Sequence, residues 1–208
     1  MSEDTFALAL HGHCSGRVWP AAHVLLDFLL KGDELKDNCR VLELGAGTGF
    51  LSLALERARP DVSITATDSD RCEGAFTRLR GNIAENHSRV QVAELDWGES
   101  DPAILSSSSP PFDVIIGSDL VYGDELASIV SRLFSRMARA WSARIILGHT
   151  CSRWGGYGFD ARLWESLRDQ GLRARAVAGE RSPPELSLEE HVVVFVIERA
   201  EAEAAEGC

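Results

Sequence analysis

Along the chain, apolar residues alternate between two kinds of spacing. Behind Trp19-Pro20-Ala21-Ala22, the residues Val24, Leu25, Phe28 and Leu29 line one helical face, and proline suits a first helical turn. Residues 40–44 form a short apolar strand that runs into glycines. Leu51, Ala54, Leu55 and Ala58 then keep a helical period until Pro60 stops it. Residues 62–67 are expected to form a second strand ending at Asp68, residues 70–87 a helix, and residues 90–95 a third strand ending at Asp96-Trp97. A serine-proline loop over 106–111 precedes a fourth strand at 112–118. Leu126, Ile129, Val130, Leu133, Phe134 and Met137 make the cleanest amphipathic helix of the chain. A fifth strand is expected at 144–148, then a glycine-rich loop carrying Trp154 and Tyr157, and a helix over 160–170. Two strands near 173–178 and 191–198 close the pattern. The run 192–197 does not alternate, so both of its faces should be covered.

Strands alternating with helices predict an α/β fold, a doubly wound and mainly parallel sheet. The 208 residues suit one domain with a substantial core. That domain is expected to span 1–199, with 1–18 as an N-terminal arm and 200–208 as a frayed, acidic tail. No apolar run approaches the roughly 20 residues that cross a bilayer. The acidic start, Met1-Ser2-Glu3-Asp4, lacks the basic-then-apolar order of a secretory signal, which makes a cytoplasmic or nuclear protein the expectation. The five cysteines are scattered without a C-x-x-C pair, so reduced thiols are expected rather than a disulfide framework. His11 and His13 lack a third ligand at suitable spacing, and no metal site is expected. The net charge of −11 argues against a broad nucleic-acid surface, which needs a basic stripe.

Two stretches carry the candidate chemistry. Glu43-Leu44-Gly45-Ala46-Gly47-Thr48-Gly49 joins a strand to a helix at the place where doubly wound sheets hold ligands. A dinucleotide fingerprint needs glycine or alanine three places after Gly47, and Phe50 stands there. Asp68 closes the second strand 19 residues beyond Gly49, where a carboxylate accepts both hydroxyls of a ribose; an N-cap on the next helix is the plainer alternative. Asp96 could accept from an adenine amine while Trp97 walls the base, or the pair could be a capping aspartate beside a buried tryptophan. Ser118-Asp119-Leu120-Val121-Tyr122 puts a carboxylate and a phenol after the fourth strand. Here too a helix cap and a core-covering tyrosine are the plainer readings.

Glycine at every second position after Glu43 resembles motif I of class I methyltransferases. Together with Val18-Trp19-Pro20-Ala21-Ala22, Asp68, Leu79-Arg80-Gly81-Asn82 through Asn86, Asp96-Trp97 and Ser118–Tyr122, the chain resembles the family-16 methyltransferase-like protein-lysine methyltransferases over about residues 16–125. The resemblance implies a Rossmann-like seven-strand sheet with an antiparallel last strand, and S-adenosylmethionine as methyl donor. It implies a cofactor site of Trp19, Glu43, Gly45, Ala46, Gly47, Asp68, Asp96, Trp97 and Ser118. Asp119 and Tyr122 would then face the methyl group and the incoming amine, with Leu120 and Val121 packed inward. A protein substrate and a monomeric enzyme are expected. Only 18 residues precede Trp19, which is short beside the family's usual arm.

Other functions differ in their signatures. Nucleic-acid amine methyltransferases carry N/D-P-P-Y after the fourth strand, whereas Pro110-Pro111 lies before it here. A small-molecule N-methyltransferase, or a protein-histidine methyltransferase, would use the same cofactor half. A non-enzymatic scaffold would not need the D-x-x-Y pair.

Overall fold

The computed structural model describes residues 5–10, 16–71, 74–98, 112–152, 159–181 and 190–200. The elements run α1 (Pro20–Lys31), β1 (Arg40–Leu44), α2 (Phe50–Ala58), β2 (Ser63–Asp68), α3 (Ala75–Glu85), β3 (Gln91–Glu94), β4 (Val114–Ser118), α4 (Asp124–Ala140), β5 (Arg144–Ser152), α5 (Phe159–Asp169), β6 (Leu172–Arg181) and β7 (Glu190–Arg199). All seven strands join one sheet in the order β3-β2-β1-β4-β5-β7-β6. Strands β1 to β5 pair in parallel, and β7 runs antiparallel to both of its neighbours. The chain winds one way from β1 to β3 and the other way from β4 onward. A crevice therefore opens between the carboxyl ends of β1 and β4, where such folds bind ligands.

Two layers of side chains cover the sheet. Val41 and Ile116 face the layer built with α1, α2 and α3, while Leu42, Leu44 and Ile115 face α4 and α5. The unalternating strand β7 is covered on both sides, as its sequence predicts. Val194 lies in the first layer, and Phe195 stacks on Trp164 of α5 with ring centroids 4.6 Å apart. The glycine at 148 lets α1 settle directly on β5. A Cβ there would come within 2.9 Å of the Ala21 carbonyl and 3.1 Å of Leu25 Cβ. This contact seats the start of α1 over the middle of β5, at the level where Gly148 pairs with Ser118.

Three expectations need correction. The helix predicted over 70–87 begins at Ala75, because Gly74 holds a left-handed φ of 70° that no helical turn accepts. Asp70 instead takes the Thr77 N–H at 2.9 Å and its hydroxyl at 2.8 Å. Strand β5 runs four residues past 148, since β7 supplies partners as far as Ser152. Both last strands are longer than predicted, with a bulge in β6 between Ala176 and Ala178. The His11–His13 pair, the 106–111 loop, Trp154, Tyr157 and the tail 201–208 lie outside the described residues. Among those described, no helix is long and apolar enough to cross a membrane.

Candidate cofactor and acceptor site

The loop from β1 to α2 bends through three left-handed glycines, Gly45 (φ 60°), Gly47 (φ 54°) and Gly49 (φ 80°). L-residues with a Cβ pay a steric penalty there, which glycine avoids. The Ala46 N–H donates to the Thr67 carbonyl at 2.9 Å, continuing the β1–β2 pairing into the bend. The Gly47 N–H donates to Asp68 Oδ2 at 2.7 Å, and the Ser69 N–H to Asp68 Oδ1 at 2.8 Å. Asp68 is thus held at the mouth of the loop with one acceptor position used on each oxygen. Each oxygen keeps a further lone pair for a ligand hydroxyl. It caps no helix, since α3 is preceded by Gly74. Burial pushes the Asp68 carboxyl above its ordinary range, against the pull of the two N–H groups.

Two of the glycines make room for the protein itself. A Cβ on Gly45 would lie 2.9 Å from the Trp97 ring and 3.0 Å from Leu120 Cδ2. On Gly49 it would meet Leu79 Cδ1 at 2.9 Å. The loop is therefore pinned between Trp97 and α3, a role that its glycine spacing alone does not disclose. Glu43 sits beneath the bend rather than on its surface. Only 1% exposed, it accepts a hydrogen bond from the Ser52 hydroxyl of α2. Burial, with the nearby Asp68 charge adding to it, pushes the Glu43 carboxyl up to about 8.

At the end of β3, the Leu95 N–H bonds to the Asp68 carbonyl at 2.9 Å, which ties the third strand's exit to the second's. Asp96 accepts the Gly98 N–H at 2.9 Å and pairs with Arg71 Nε at 2.7 Å. Each Asp96 oxygen thus has a protein partner and, like those of Asp68, carries a second acceptor lone pair. Arg71 was not a sequence candidate. It and Asp96 lie on separate loops, and only the β2–β3 pairing brings them together.

On the β4 side, Asp119 adopts a left-handed φ of 48°. Such strain in a residue with a Cβ costs roughly 1–3 kcal/mol and gathers at functional sites. Its N–H bonds to the Gly148 carbonyl at 2.9 Å. Its carboxylate accepts the Thr150 N–H at 2.7 Å and the Thr150 hydroxyl at 2.9 Å, and lies 4.0 Å from His149 Nδ1. Asp119 does not cap α4, whose N-cap is Gly123 without a side-chain bond. Leu120 and Val121 point inward at 2% and 5% exposure, and Tyr122 stands half exposed. Gly117 is needed for this bend, because a Cβ on it would fall 2.6 Å from Leu120 Cδ1. Thr150, the residue that fixes Asp119, was missed because strand β5 was expected to stop short of it. The half-exposed Trp19 begins α1 at the same rim.

The loop, its acids and the Asp119 bend lie at the carboxyl ends of β1, β2 and β4, on the two sides of one crevice. A family model described as lysine methyltransferase matches residues 6–154. This chain belongs to that family. It is 39% identical over 113 residues to protein N-lysine methyltransferase METTL21A of Danio rerio, covering 52% of this chain and 48% of the relative. It is 31% identical over 152 residues to protein-lysine N-methyltransferase EEF2KMT of Homo sapiens, covering 66% of this chain and 44% of that one. The chain spans about half the length of the curated relatives it matches. Among solved structures, a methyltransferase from Pyrococcus furiosus superposes with a TM-score of 0.59 at 20% identity, over 91% of this chain and 88% of its own. Precorrin-6y C5,15-methyltransferase from Geobacter metallireducens gives 0.56 at 16%, over 95% of each chain. At these identities the likeness is one of fold: the Rossmann-like sheet of methyltransferases.

Proposed function

We propose that this chain is an S-adenosylmethionine-dependent N-methyltransferase whose acceptor is a lysine side chain of a protein. The observation that carries the reading is the Asp119 carboxylate, fixed from behind by Thr150 at the crevice between β1 and β4. The names of the lysine methyltransferase relatives support the choice of acceptor.

The residues of the crevice suit the cofactor. Asp68 offers two oxygens toward ribose hydroxyls, Trp97 a flat apolar wall for adenine, and the Gly45–Gly47 backbone a close approach for the amino-acid tail. Trp19 and Ser118 complete the rim. Glu43 acts from below as a mainly neutral support at pH 7. When bound, the cofactor supplies an electrophilic methyl on a sulfonium. Alignment of amine and methyl is the protein's main contribution, worth roughly 7–11 kcal/mol at best.

Asp119 serves as a capture group rather than a base. A lysine with a reference pKa near 10.4 needs about 4 kcal/mol to lose its proton near neutrality, and a neighbouring carboxylate favours the charged form. Asp119 therefore draws in and orients the ammonium; the positive sulfonium beside it favours release of the proton to solvent, and Tyr122, open to solvent at the same bend, hydrogen-bonds the neutral nitrogen. The test is transfer of label from S-adenosylmethionine to proteins of a cell extract, with hydrolysis to identify the methylated residue. Wild type is expected to label protein on lysine. Asp119→Asn is expected to lose at least about tenfold in transfer, the loss of one charge-assisted hydrogen bond, while still binding S-adenosylhomocysteine. Label confined to small metabolites, or an Asp119→Asn protein that no longer binds the product, refutes the assignment.

A further inference from the structure

Residues 7–10, after a turn at Thr5-Phe6, lie against α3, and two asparagines one helical turn apart hold Ala7 and Ala9 there. Asn86 Oδ1 accepts the Ala7 N–H at 3.0 Å, and Asn86 Nδ2 donates to the Ala7 carbonyl at 2.8 Å. Asn82 Oδ1 accepts the Ala9 N–H at 2.8 Å. The spacing matches: four helical residues rise about 6 Å, and two extended residues about 6.6 Å. Two side-chain amides can thus address alternate peptide groups of a strand. Phe6 and Leu8, which alternate with the clamped positions, turn toward the core. Phe6 meets Phe50 edge-on at 6.1 Å and lies 5.7 Å under the Arg57 guanidinium.

Asn82 does a second job. Buried at 3% exposure, it donates from Nδ2 to the Thr48 carbonyl at 2.8 Å, inside the glycine loop. One amide therefore bonds the arm with its oxygen and the loop with its nitrogen. The same helix backs the loop through Leu79 and Ile83, both within 3.3 Å of where a Gly49 Cβ would stand. Phe50, the arm's aromatic partner, is the residue that follows the loop.

We infer that the segment 5–10 is a strap, and that Asn82 is a positioning residue coupling its docking to the geometry of the cofactor loop. Strap and cofactor then stabilise each other reciprocally, because both draw on one arrangement of the Thr48 peptide. The inference rests on the reading that the 45–49 loop receives S-adenosylmethionine.

The test pairs calorimetric binding of S-adenosylhomocysteine with hydrogen exchange over residues 5–10. In wild type the product should slow exchange of this segment. Asn86→Ala releases the strap without touching the loop, and should weaken product binding within the roughly 5- to 150-fold range of such couplings. Asn82→Asp keeps the acceptor for Ala9 and loses the donor to Thr48. It should weaken binding and leave exchange of the segment insensitive to the product. Ala7→Pro removes the Ala7 N–H and restricts the backbone of the segment while leaving α3 intact; it should weaken product binding in the same direction as Asn86→Ala, which guards against a variant that fails to fold. Product binding with unchanged exchange in wild type overturns the inference, as does wild-type affinity in both Asn86→Ala and Ala7→Pro despite faster exchange. A wild-type protein that binds no product overturns the cofactor reading itself, a result distinct from either.

Discussion

Replacing Glu43 with glutamine should reshape the protein's stability as a function of pH. The carboxyl is buried under the glycine loop with Ser52 donating to it, and burial pushes its pKa up to about 8 from an ordinary 4.5. Because the folded value is raised, the native state holds a proton that the unfolded chain releases between these two limits. Stability from this group is fully present below about pH 4.5, is lost progressively as pH rises through the folded value, and levels off above it. At 1.36 kcal/mol per unit, the full span is about 5 kcal/mol, and about 3 kcal/mol of it has been lost by pH 7. Glutamine keeps the volume and an oxygen for the Ser52 hydroxyl, and it does not ionise. Urea unfolding of both proteins from about pH 5 to 9 isolates the group, because every other titration cancels in the difference. Glu43→Gln should gain on wild type steadily up to about pH 8 and hold that gain beyond. A difference in stability that stays flat across this range would refute the reasoning, because Glu43 would then ionise at an ordinary pH inside the fold.

Other substitutions test the neighbouring parts of the crevice. Gly45→Ala must hold a left-handed φ, which costs about 1–2 kcal/mol, and must also displace Trp97; a lower melting temperature with altered tryptophan fluorescence is expected, and unchanged melting would contradict the packing described. Asp68→Asn turns one N–H acceptor into a donor facing a donor, so calorimetry should show S-adenosylhomocysteine affinity reduced by tenfold or more, and the unsatisfied pair, at a cost of about 1–3 kcal/mol, should lower the melting temperature of the free protein as well. Thr150→Val keeps its shape and backbone N–H but removes the hydroxyl bond to Asp119. A hydrogen bond to a charged group is worth about 1.5–3 kcal/mol, so turnover should drop roughly tenfold to a hundredfold with product affinity intact.

Much of this architecture is local in origin, and those parts were readable in advance. Strand ends, helix faces and the glycine bend are set by residues within a few positions of one another, so hydrophobic period and turn chemistry reveal them. The inward turn of Leu120 and Val121, which the family resemblance implies, is also found in the structure. The late start of α3 at Gly74 and the extension of β5 escaped this logic. The first hangs on one backbone dihedral, and the second on pairing with a strand that lies 38 to 52 positions further along the chain.

The amino-acid order by itself determined the class of sheet, the position of its crevice and the loop, acid and phenol placed there, because each is written in short-range spacing. Only the folded chain decided what those groups touch. Asp119 is held by a threonine 31 positions away, and Asn82 joins Ala9 to Thr48 across 73 and 34 positions. Asp96 pairs with an arginine from another loop, and Glu43 becomes a mainly neutral acid because the fold buries it beneath the glycine loop against Ser52 of α2. Burial and partnership depend on which distant segments meet, and that is fixed by the packing of the whole sheet rather than by any window of sequence.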